Sequence, residues 1–390
     1  MKIVEIKPIV CHAGMRNWVF VRVQTDVPGL VGWGEATLEW KTRATVGAIE
    51  DLEPLLLGQD PRDIENCFQI MTRHGFWRLG TIGMSAASGI EIALHDILGK
   101  SLGVPVWRLL GGRCRSYVRT YTHLGMGEMS SVYETFDAKS LAERGLAVVE
   151  AGYDALKVVC IPFGHYLSSN RAVDAVAQAA QDLRQAVGPD VDIMIDFHGR
   201  PASAALAREF IRAVAPIRPL FVEEPVPPGD LNGMAELRSE AGITIASGER
   251  LIGRHEFDSA IKHRAFDIAQ PDVCHTGGLA ETKKIAAACE MAGIGVAPHN
   301  PLGPIAGVAA LHLGISTPNF VIQEEMSGAV PWYGDVVQWP IERRAGRWDL
   351  PEKPGLGIDV DEREIAKHPF EQEILHARNA VLADGTVVDW

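Results

Sequence analysis

The chain of 390 residues is long enough to bury a large core and predicts two domains. Its 47% hydrophobic and 22% charged content is typical of an ordinary globular protein, and six cysteines without a CxxC pair predict reduced thiols and a cytoplasmic location. The formal net charge of −13 argues against nucleic acid and against an anionic membrane surface as partners.

The first 113 residues predict an α+β domain. Three strand-like segments, IVEIKPIV, WVFVRVQTD and VGWGEA, have the alternation and aromatic content of an antiparallel meander. The charges within MKIVEIKPIV also exclude the apolar centre of a signal peptide. Helical patterns follow near residues 43–57 and 83–102, and the second ends on glycine.

From residue 114 onwards, predicted strands and helices alternate, which indicates a parallel sheet. Eight strands over this length predict a closed βα barrel. The strands are predicted at 117–122, 155–160, 191–196, 220–223, 243–247, 266–270, 294–298 and 319–322.

Two features near the end of the predicted barrel need interpretation. Residues 291–323 contain no Asp, Glu, Lys or Arg, but their prolines and glycines favour two buried strands around a helix over a membrane span. No long amphipathic helix follows the eighth strand, so the last barrel helix is predicted to be missing or replaced. The C-terminal segment is then expected to return to the first domain.

Three acidic residues close or directly follow consecutive predicted barrel strands at nearly equal intervals. Asp196, Glu223 and Glu249 are 27 and then 26 residues apart, which fits one strand, one helix and two loops. Because the carboxyl ends of barrel strands share one rim, we expect these carboxylates to converge. Converging anions need a cation, and an all-oxygen ligand set favours Mg²⁺ first and Mn²⁺ second. Helix capping or loop solvation would explain any one of them, but explains all three poorly.

Histidines and a further acid at strand ends are candidates for acid–base chemistry. His299 follows the seventh predicted strand, and Asp272 on the neighbouring strand could hold its ring as that of a general base. The alternative is a structural histidine beside a proline-rich turn. His198 follows Asp196 by two residues, so it is either an acid or base of the site or a neighbour of the metal.

Glu324 follows the eighth predicted strand. If it held a proton, it could donate a hydrogen bond to a substrate carboxylate; otherwise it is a solvated loop acid. Glu325 and Glu224 are adjacent acids that compete for these assignments. The sequence contains neither a Walker loop nor a GxSxG nucleophile motif.

The motifs at these strand ends, taken together, resemble the enolase superfamily in its mandelate racemase branch. VGWGEA, GIEIALHDILGK and PVWRLLGG are similar to its capping domain, and DFHGR, FVEEP, ASGER, QPDVCHTGG and APHNPLGP to its barrel-strand ends. PGLGID is similar to the segment that returns to the cap. The resemblance implies a modified TIM barrel, (β/α)₇β, with an N-terminal α+β capping domain completed by the C-terminal segment. The capping domain is then 1–113, with 345–390 returning to it, and the barrel is 114–344.

The resemblance also implies roles for the residues of the site. One Mg²⁺ per active site would be held by Asp196, Glu223 and Glu249. His299 paired with Asp272 would be the base, and Glu324 the electrophilic acid. Many relatives carry Lys-x-Lys at the end of the second barrel strand, but here Lys157 is followed by two valines. The missing second lysine argues against a two-base racemase.

GFWR, DFHGR and LGPIA are most similar to the D-galactonate dehydratases of this family. The expected reaction is therefore loss of water from a sugar acid, in which His299 removes the C2 proton and His198 protonates the leaving C3 hydroxyl. The product would be a 2-keto-3-deoxy sugar acid. Lys157, Arg200 and Trp332 are candidate substrate-binding residues.

Three alternatives stay open at this stage. An epimerase, racemase or cycloisomerase on the same scaffold could use Lys157 as a second base. A dehydratase for another acid sugar would share the chemistry but not the stereochemistry, and a non-catalytic protein could have kept only the barrel. The family precedent is a homo-oligomer, a dimer or an octamer, that acts on a small-molecule substrate.

Overall fold

The computed structural model of the protein describes residues 1–127, 138–339, 341–373 and 376–389. The chain opens with an antiparallel sheet whose strands are, in order, β1 (Ile3–Ala13), β2 (Arg16–Thr25) and β3 (Val31–Glu35). Four helices follow: α1 (Thr42–Leu56), α2 (Ile64–Arg73), α3 (Gly80–Leu102) and the short α4 (Val106–Leu109). This sheet and these helices form the α+β capping domain that the sequence predicts.

Helix α3 lies very close to β3 because both elements carry small residues where they meet. A Cβ atom added to Gly34 would lie 1.8 Å from the carbonyl oxygen of Gly89. The backbones of β3 and α3 could therefore not come this close to each other if Gly34 had a side chain. The close packing fixes the end of β3, and with it Glu35, against the barrel.

The second domain is a closed barrel of parallel strands surrounded by helices. Its strands are β4 (Tyr117–His123), β5 (Ala155–Val158), β6 (Asp192–Asp196), β7 (Val222–Glu223), β8 (Ile245–Ser247), β9 (Ile268–Ala269), β10 (Gly295–Val296) and β11 (Gln323–Glu324). Each strand from β4 to β10 pairs with the next, and β11 pairs with β4. Phe320, just before β11, forms a parallel bridge with Val296 that closes the circle. The predicted (β/α)₇β barrel with its cap is therefore confirmed.

The helices that follow these strands are α5 (Ala138–Glu150), α6 (Asn170–Val187), α7 (Ala204–Val214), α8 (Leu231–Glu240), α9 (Gly253–His263), α10 (Gly278–Met291) and α11 (Pro304–Ser316), with a 3₁₀ turn at Ala215–Ile217. Every residue of α11 is buried, which explains its uncharged sequence. None of the helices in the described part of the chain combines the length and the apolar character that a membrane span requires.

The chain beyond β11 replaces the last barrel helix and reaches back to the cap. It contains β12 (Val337–Gln338), β13 (Arg343–Arg344), β14 (Arg347–Asp349), β15 (Asp359–Val360), the short α12 (Glu362–Ile365) and a 3₁₀ turn at His376–Asn379. β14 pairs antiparallel with the start of β4. The His12 amide donates to the carbonyl of His368 at 2.8 Å, and the Asn17 side chain donates to the carbonyl of Glu371 at 2.9 Å.

The end of the chain also contacts the barrel. Val381, Leu382 and Ala383 line a cavity of about 470 Å³ whose other walls come from α5, α6, the loop after β5 and Arg200. The domain boundaries at 113 and 344 stay predictions.

Candidate active site

A cavity of about 440 Å³ opens at the carboxyl ends of the barrel strands and is covered on one side by the cap. The strand ends and the loops that follow them contribute His123, Lys157, Asp196, His198, Glu249, Arg250, His275, His299 and Glu324. The cap contributes Arg16, Leu38, Glu39, Trp40 and Thr81. Most of the ionisable residues selected from the sequence therefore face one enclosed space.

The three acids selected as metal ligands lie at the ends of consecutive strands or just beyond them. Asp196 ends β6, pairs in register with Glu223 on β7, and accepts a 2.7 Å hydrogen bond from the amide of His198. Glu249 follows β8 by two residues. Burial and neighbouring negative charge raise the pKa of Glu223 to about 7 and that of Glu249 to about 8. These anions are short of compensating positive charge.

Cationic side chains of the protein occupy part of this acidic surface. The Lys157 ammonium lies 2.7 Å from Glu223 and 3.9 Å from Asp196, and Nε2 of His299 lies 3.3 Å from Glu249. In this arrangement, no group of three or more His, Cys, Asp or Glu side chains within the described ranges is close enough to hold a metal ion.

The donor set nevertheless fits a hard divalent cation. The second carboxylate oxygen of Glu223, Oε2, is buried and accepts no hydrogen bond. A buried oxygen without a donor is costly, and a divalent cation would satisfy it. Such an ion would compete with Lys157 for Glu223 and with His299 for Glu249.

His299 and Asp272 form the pair that the sequence suggests. Nδ1 of His299 lies 2.8 Å from Oδ2 of Asp272, whose other oxygen accepts the amide of Cys274 at 2.7 Å. The bond to Asp272 orients the ring and leaves Nε2 on the side of Glu249. Although burial opposes it, the Glu249 and Asp272 carboxylates raise the pKa of His299 to about 10. A cation on Glu249 would weaken this effect and favour the neutral imidazole that a base requires.

His198 faces the same cavity from another wall. It follows the third barrel strand, β6, whereas His299 follows the seventh, β10, so the two strands are half a turn of the barrel apart. Its backbone has a φ of +56°, which is uncommon for a residue with a side chain. The unusual backbone and the amide bond to Asp196 fix the position of the imidazole relative to the acidic residues.

Glu324 reaches the cavity but differs from the expected proton-carrying acid. Its carboxylate accepts from Nε2 of His123 at 2.6 Å, from Lys157 at 2.9 Å and from the amide of Asn300 at 2.7 Å. Burial acts against ionisation, but the Lys157 ammonium and His123 lower the pKa of Glu324 well below its usual range. In this structure Glu324 is an acceptor, and Lys157 is the donor beside it.

Two predicted substrate-binding residues do not line the cavity. Arg200 lies over the ring of Phe163, donates to the carbonyl of Ile161 at 2.6 Å, and lines the second cavity instead. Trp332 donates to the carbonyl of His12 and stacks on His368 with ring centroids 4.1 Å apart. Arg200 is the last residue of DFHGR, but its buried side chain points away from the active-site cavity and covers the neighbouring βα loop.

The competing acids are engaged away from the cavity. Glu224 accepts from the Ser247 hydroxyl at 2.6 Å and from Arg250 at 2.6 Å, and Glu325 accepts from the Tyr153 hydroxyl. Both side chains support the surrounding loops, and neither lines the cavity.

Sequence reasoning missed several residues of the cavity wall. Arg16 is buried, donates to Glu39 at 2.5 Å and to the carbonyl of Pro301 at 2.6 Å, and so joins the cap to the loop after β10. No sequence signal marked this pair, because it depends on the docking of the two domains. His123 ends β4 and follows the same strand-end rule that selected His299, so that rule could have found it.

A parallel barrel with an α+β cap and acid–base residues at its strand ends defines a class of enzyme scaffold. Residues 4–111 match the family described as mandelate racemase/muconate lactonizing enzyme, N-terminal domain, and residues 140–364 match that described as enolase C-terminal domain-like. The chain belongs to the mandelate racemase/muconate lactonizing enzyme family of the enolase superfamily.

Named relatives and solved structures agree with this membership. A D-galactonate dehydratase of Klebsiella pneumoniae (strain 342) is 38% identical over 96% of this chain and 97% of its own length. A D-galactonate dehydratase of Ralstonia nicotianae is also 38% identical, over the same shares. The crystal structure of a mandelate racemase/muconate lactonizing enzyme-like protein from Roseovarius sp. TM1035 superposes with a TM-score of 0.89, with 32% identity and 100% of both chains covered.

Proposed function

We propose that the protein is a Mg²⁺-dependent hydro-lyase that removes water from a sugar acid, with D-galactonate as the first candidate substrate. The observation that carries the proposal is the placement of His299 and His198 on opposite walls of one cavity lined with carboxylates. The relatives named D-galactonate dehydratase support the choice of substrate class.

Binding starts with the carboxylate of the substrate. The ammonium of Lys157, buried between Glu223 and Glu324, is placed to donate to this carboxylate. When bound by Asp196, Glu223 and Glu249, Mg²⁺ would supply a Lewis acid that favours negative charge on the same group. Negative charge that develops on the substrate carboxylate is then stabilised by the Lys157 ammonium, which is already in position.

His299 is assigned the removal of the C2 proton. Its Nδ1 is bound to Asp272, so Nε2 is the atom that takes the proton. The buried Asp272 carboxylate fixes the tautomer and stabilises the imidazolium that results. The electrons of the C2–H bond move towards the carboxylate carbon, and Lys157 stabilises the charge there.

His198 is assigned the leaving group. From the opposite wall it donates a proton to the C3 hydroxyl, the C3–O bond breaks, and water leaves as the C2–C3 double bond forms. The enol that results becomes a 2-keto-3-deoxy acid. No oxidant or reductant is required, because one proton and one hydroxide are removed from neighbouring carbons.

The isomerase alternative is less well supported. It needs a second base, for which Lys157 and His198 are the candidates. The Lys157 ammonium is in contact with two buried carboxylates that stabilise its charged form, and His198 is assigned to the leaving group. A dehydratase for another acid sugar would use the same machinery, and the cap residues Arg16 and Glu39 would then select the stereoisomer. The predicted homo-oligomer and cytoplasmic location stay part of the proposal.

A panel of sugar-acid stereoisomers, incubated with the protein and Mg²⁺, tests the proposal. We expect D-galactonate or a close stereoisomer to give a 2-keto acid whose mass is lower by one water. A product of unchanged mass would contradict the hydro-lyase and support the isomerase. Absence of any turnover across the panel, together with absence of Mg²⁺ binding, would support the non-catalytic alternative.

A further inference from the structure

The strand ends that carry Asp272 and His299 lead into barrel helices that lack an N-terminal capping side chain of their own. α10 begins after Gly277 and α11 begins after Gly303, and a glycine has no side-chain oxygen to offer the free amides of the first turn. A helix end buried without partners would be unstable, so these amides must find acceptors elsewhere.

Three other barrel helices are capped by the side chain of the residue that directly precedes them. α6, α7 and α8 begin after residues whose own side chains accept an amide of the first turn, namely Ser169, Ser203 and Asp230. The two helices next to the proposed base pair therefore differ from these three in how they are capped.

The acceptor for α11 comes from the capping domain. Glu35, at the end of β3, is fully buried, and its carboxylate accepts from the amide of Gly303 at 2.7 Å and from that of Ala306 at 2.8 Å. The Thr37 hydroxyl donates to the same group at 2.6 Å. A Cβ atom on Gly303 would lie 2.6 Å from Glu35, so the glycine makes room for the remote carboxylate.

The acceptor for α10 also comes from the capping domain. Glu91, in the middle of α3, is buried and accepts from the amide of Leu279 at 2.7 Å and from that of Ala280 at 2.9 Å. A Cβ atom on Gly278 would lie 2.0 Å from the Glu91 carboxylate. The Ser88 hydroxyl, one turn earlier on α3, accepts the amide of Gly277 at 2.9 Å.

From this pattern we propose that Glu35 and Glu91 are positioning residues that set the placement of His299 against Asp272. Glu35 fixes the first turn of α11, which follows His299, and Glu91 fixes the first turn of α10, which follows Asp272. A negative charge is favoured at the N-terminus of each of these helices. Because both carboxylates belong to the other domain, the 2.8 Å separation of the pair depends on how the cap is seated on the barrel. The inference rests on the proposed function only in taking His299 and Asp272 as the base pair.

A double variant separates positioning from simple helix capping. In Glu35→Ala the space beside Gly303 is vacant, so Gly303→Ser can be added, and the extended backbone there (φ −86°) accepts a serine. The new hydroxyl would cap α11 locally, as Ser203 caps α7. Local capping restores the helix end but not the link to the cap.

Asp96→Asn is a matched control for the loss of a buried carboxylate. Asp96 lies on the same helix as Glu91, is fully buried, and accepts two backbone amides, those of Trp33 at 3.0 Å and Leu356 at 2.8 Å. Asp96 also accepts from Lys100 at 2.6 Å. None of these donors belongs to α10 or α11, so the variant should lose stability while the acceptors at the N-termini of both helices stay in place.

Steady-state kinetics of dehydration and urea unfolding are measured on all variants. We expect Glu35→Ala to lower kcat and kcat/KM together, by up to about 10²-fold as small misplacements do. Adding Gly303→Ser should recover the unfolding midpoint but not kcat, and Asp96→Asn should lower the midpoint and keep kcat. Recovery of kcat together with the midpoint in the double variant would overturn the proposal.

A crystal structure gives a readout that does not need the reaction. In Glu91→Gln, and in Glu35→Ala if it folds, Nδ1 of His299 and Oδ2 of Asp272 should lie farther apart than 2.8 Å, whereas Asp96→Asn should keep that distance. An unchanged distance in Glu91→Gln would overturn the proposal. If the wild-type protein dehydrates no sugar acid, the proposed function fails while this comparison still decides the inference.

Discussion

Replacing Lys157 by methionine removes a positive charge that lies between two buried carboxylates and keeps an unbranched side chain that is shorter by one atom. Lys157 is 1% exposed and lies 2.7 Å from Glu223 and 2.9 Å from Glu324, both of which are fully buried. Breaking a buried ion pair by removing one partner costs about 3–5 kcal/mol, because the remaining charge has no compensation. We expect a loss of that size in the free energy of unfolding of the metal-free protein.

Urea unfolding in the presence of EDTA measures this loss as the shift in midpoint at constant m-value. Lys262→Met is the control, because Lys262 pairs with Asp258 at 2.6 Å but is 71% exposed, and exposed pairs contribute little. Excess Mg²⁺ should recover part of the stability of Lys157→Met, since a bound cation neutralises the same carboxylates. Equal destabilisation by the two substitutions would refute the reasoning.

Three further predictions concern pH, metal and packing. Burial lowers the pKa of His312 to about 4, and the ring accepts the amide of Trp107 while donating to the carbonyl of Leu356. In the unfolded chain His312 binds a proton near pH 6.5, whereas in the folded chain it does so only near pH 4. The free energy of unfolding should therefore fall by up to about 3 kcal/mol as the pH is lowered from 6.5 to 4. A His312→Gln variant whose free energy of unfolding depends on pH in the same way would contradict this. Dialysis against EDTA should abolish dehydration and Mg²⁺ should restore it; full activity of metal-free protein would count against the metal site. Gly34→Ala should destabilise the cap by more than about 3 kcal/mol, because the added Cβ would overlap the carbonyl of Gly89. Overpacking a core costs about 1–3 kcal/mol even where side chains can shift. A thermal midpoint close to that of the wild type would show that β3 and α3 can separate and would contradict this prediction.

The barrel was predictable because its signals are local. Strand-length apolar segments alternate with helical patterns, and each proposed site residue follows a strand by a few positions. The rule that strand ends share a rim brought Asp196, His198, Glu249 and His299 to one cavity, as the structure shows. Each of these four residues lies within a few positions of the strand that places it at the rim.

The departures from prediction involve contacts between distant parts of the chain. The expected proton on Glu324 disagrees with its three donors, and one of these, Lys157, was predicted as a substrate ligand or as the second base of an isomerase. The outward course of Arg200 depends on the neighbouring loop at Ile161. Periodicity carries no information on such contacts, because they form only when the domains and loops dock.

The Glu35 contact illustrates the same limit. Glu35 and Gly303 are 268 residues apart, and their hydrogen bond exists only because the cap is seated on the barrel. The glycine at the start of α11 was visible in LGPIA, but a glycine before a proline is also an ordinary loop signal. Only the structure shows which acid replaces the missing local cap.

The most direct test of the roles assigned to His299 and His198 is the exchange of the C2 hydrogen of the sugar acid, measured in deuterated water. If His299 is the base and His198 the acid, His198→Asn should still exchange the C2 hydrogen while forming almost no 2-keto product. His299→Asn should lose both. Retained exchange in His299→Asn, or full dehydration by His198→Asn, would contradict the account.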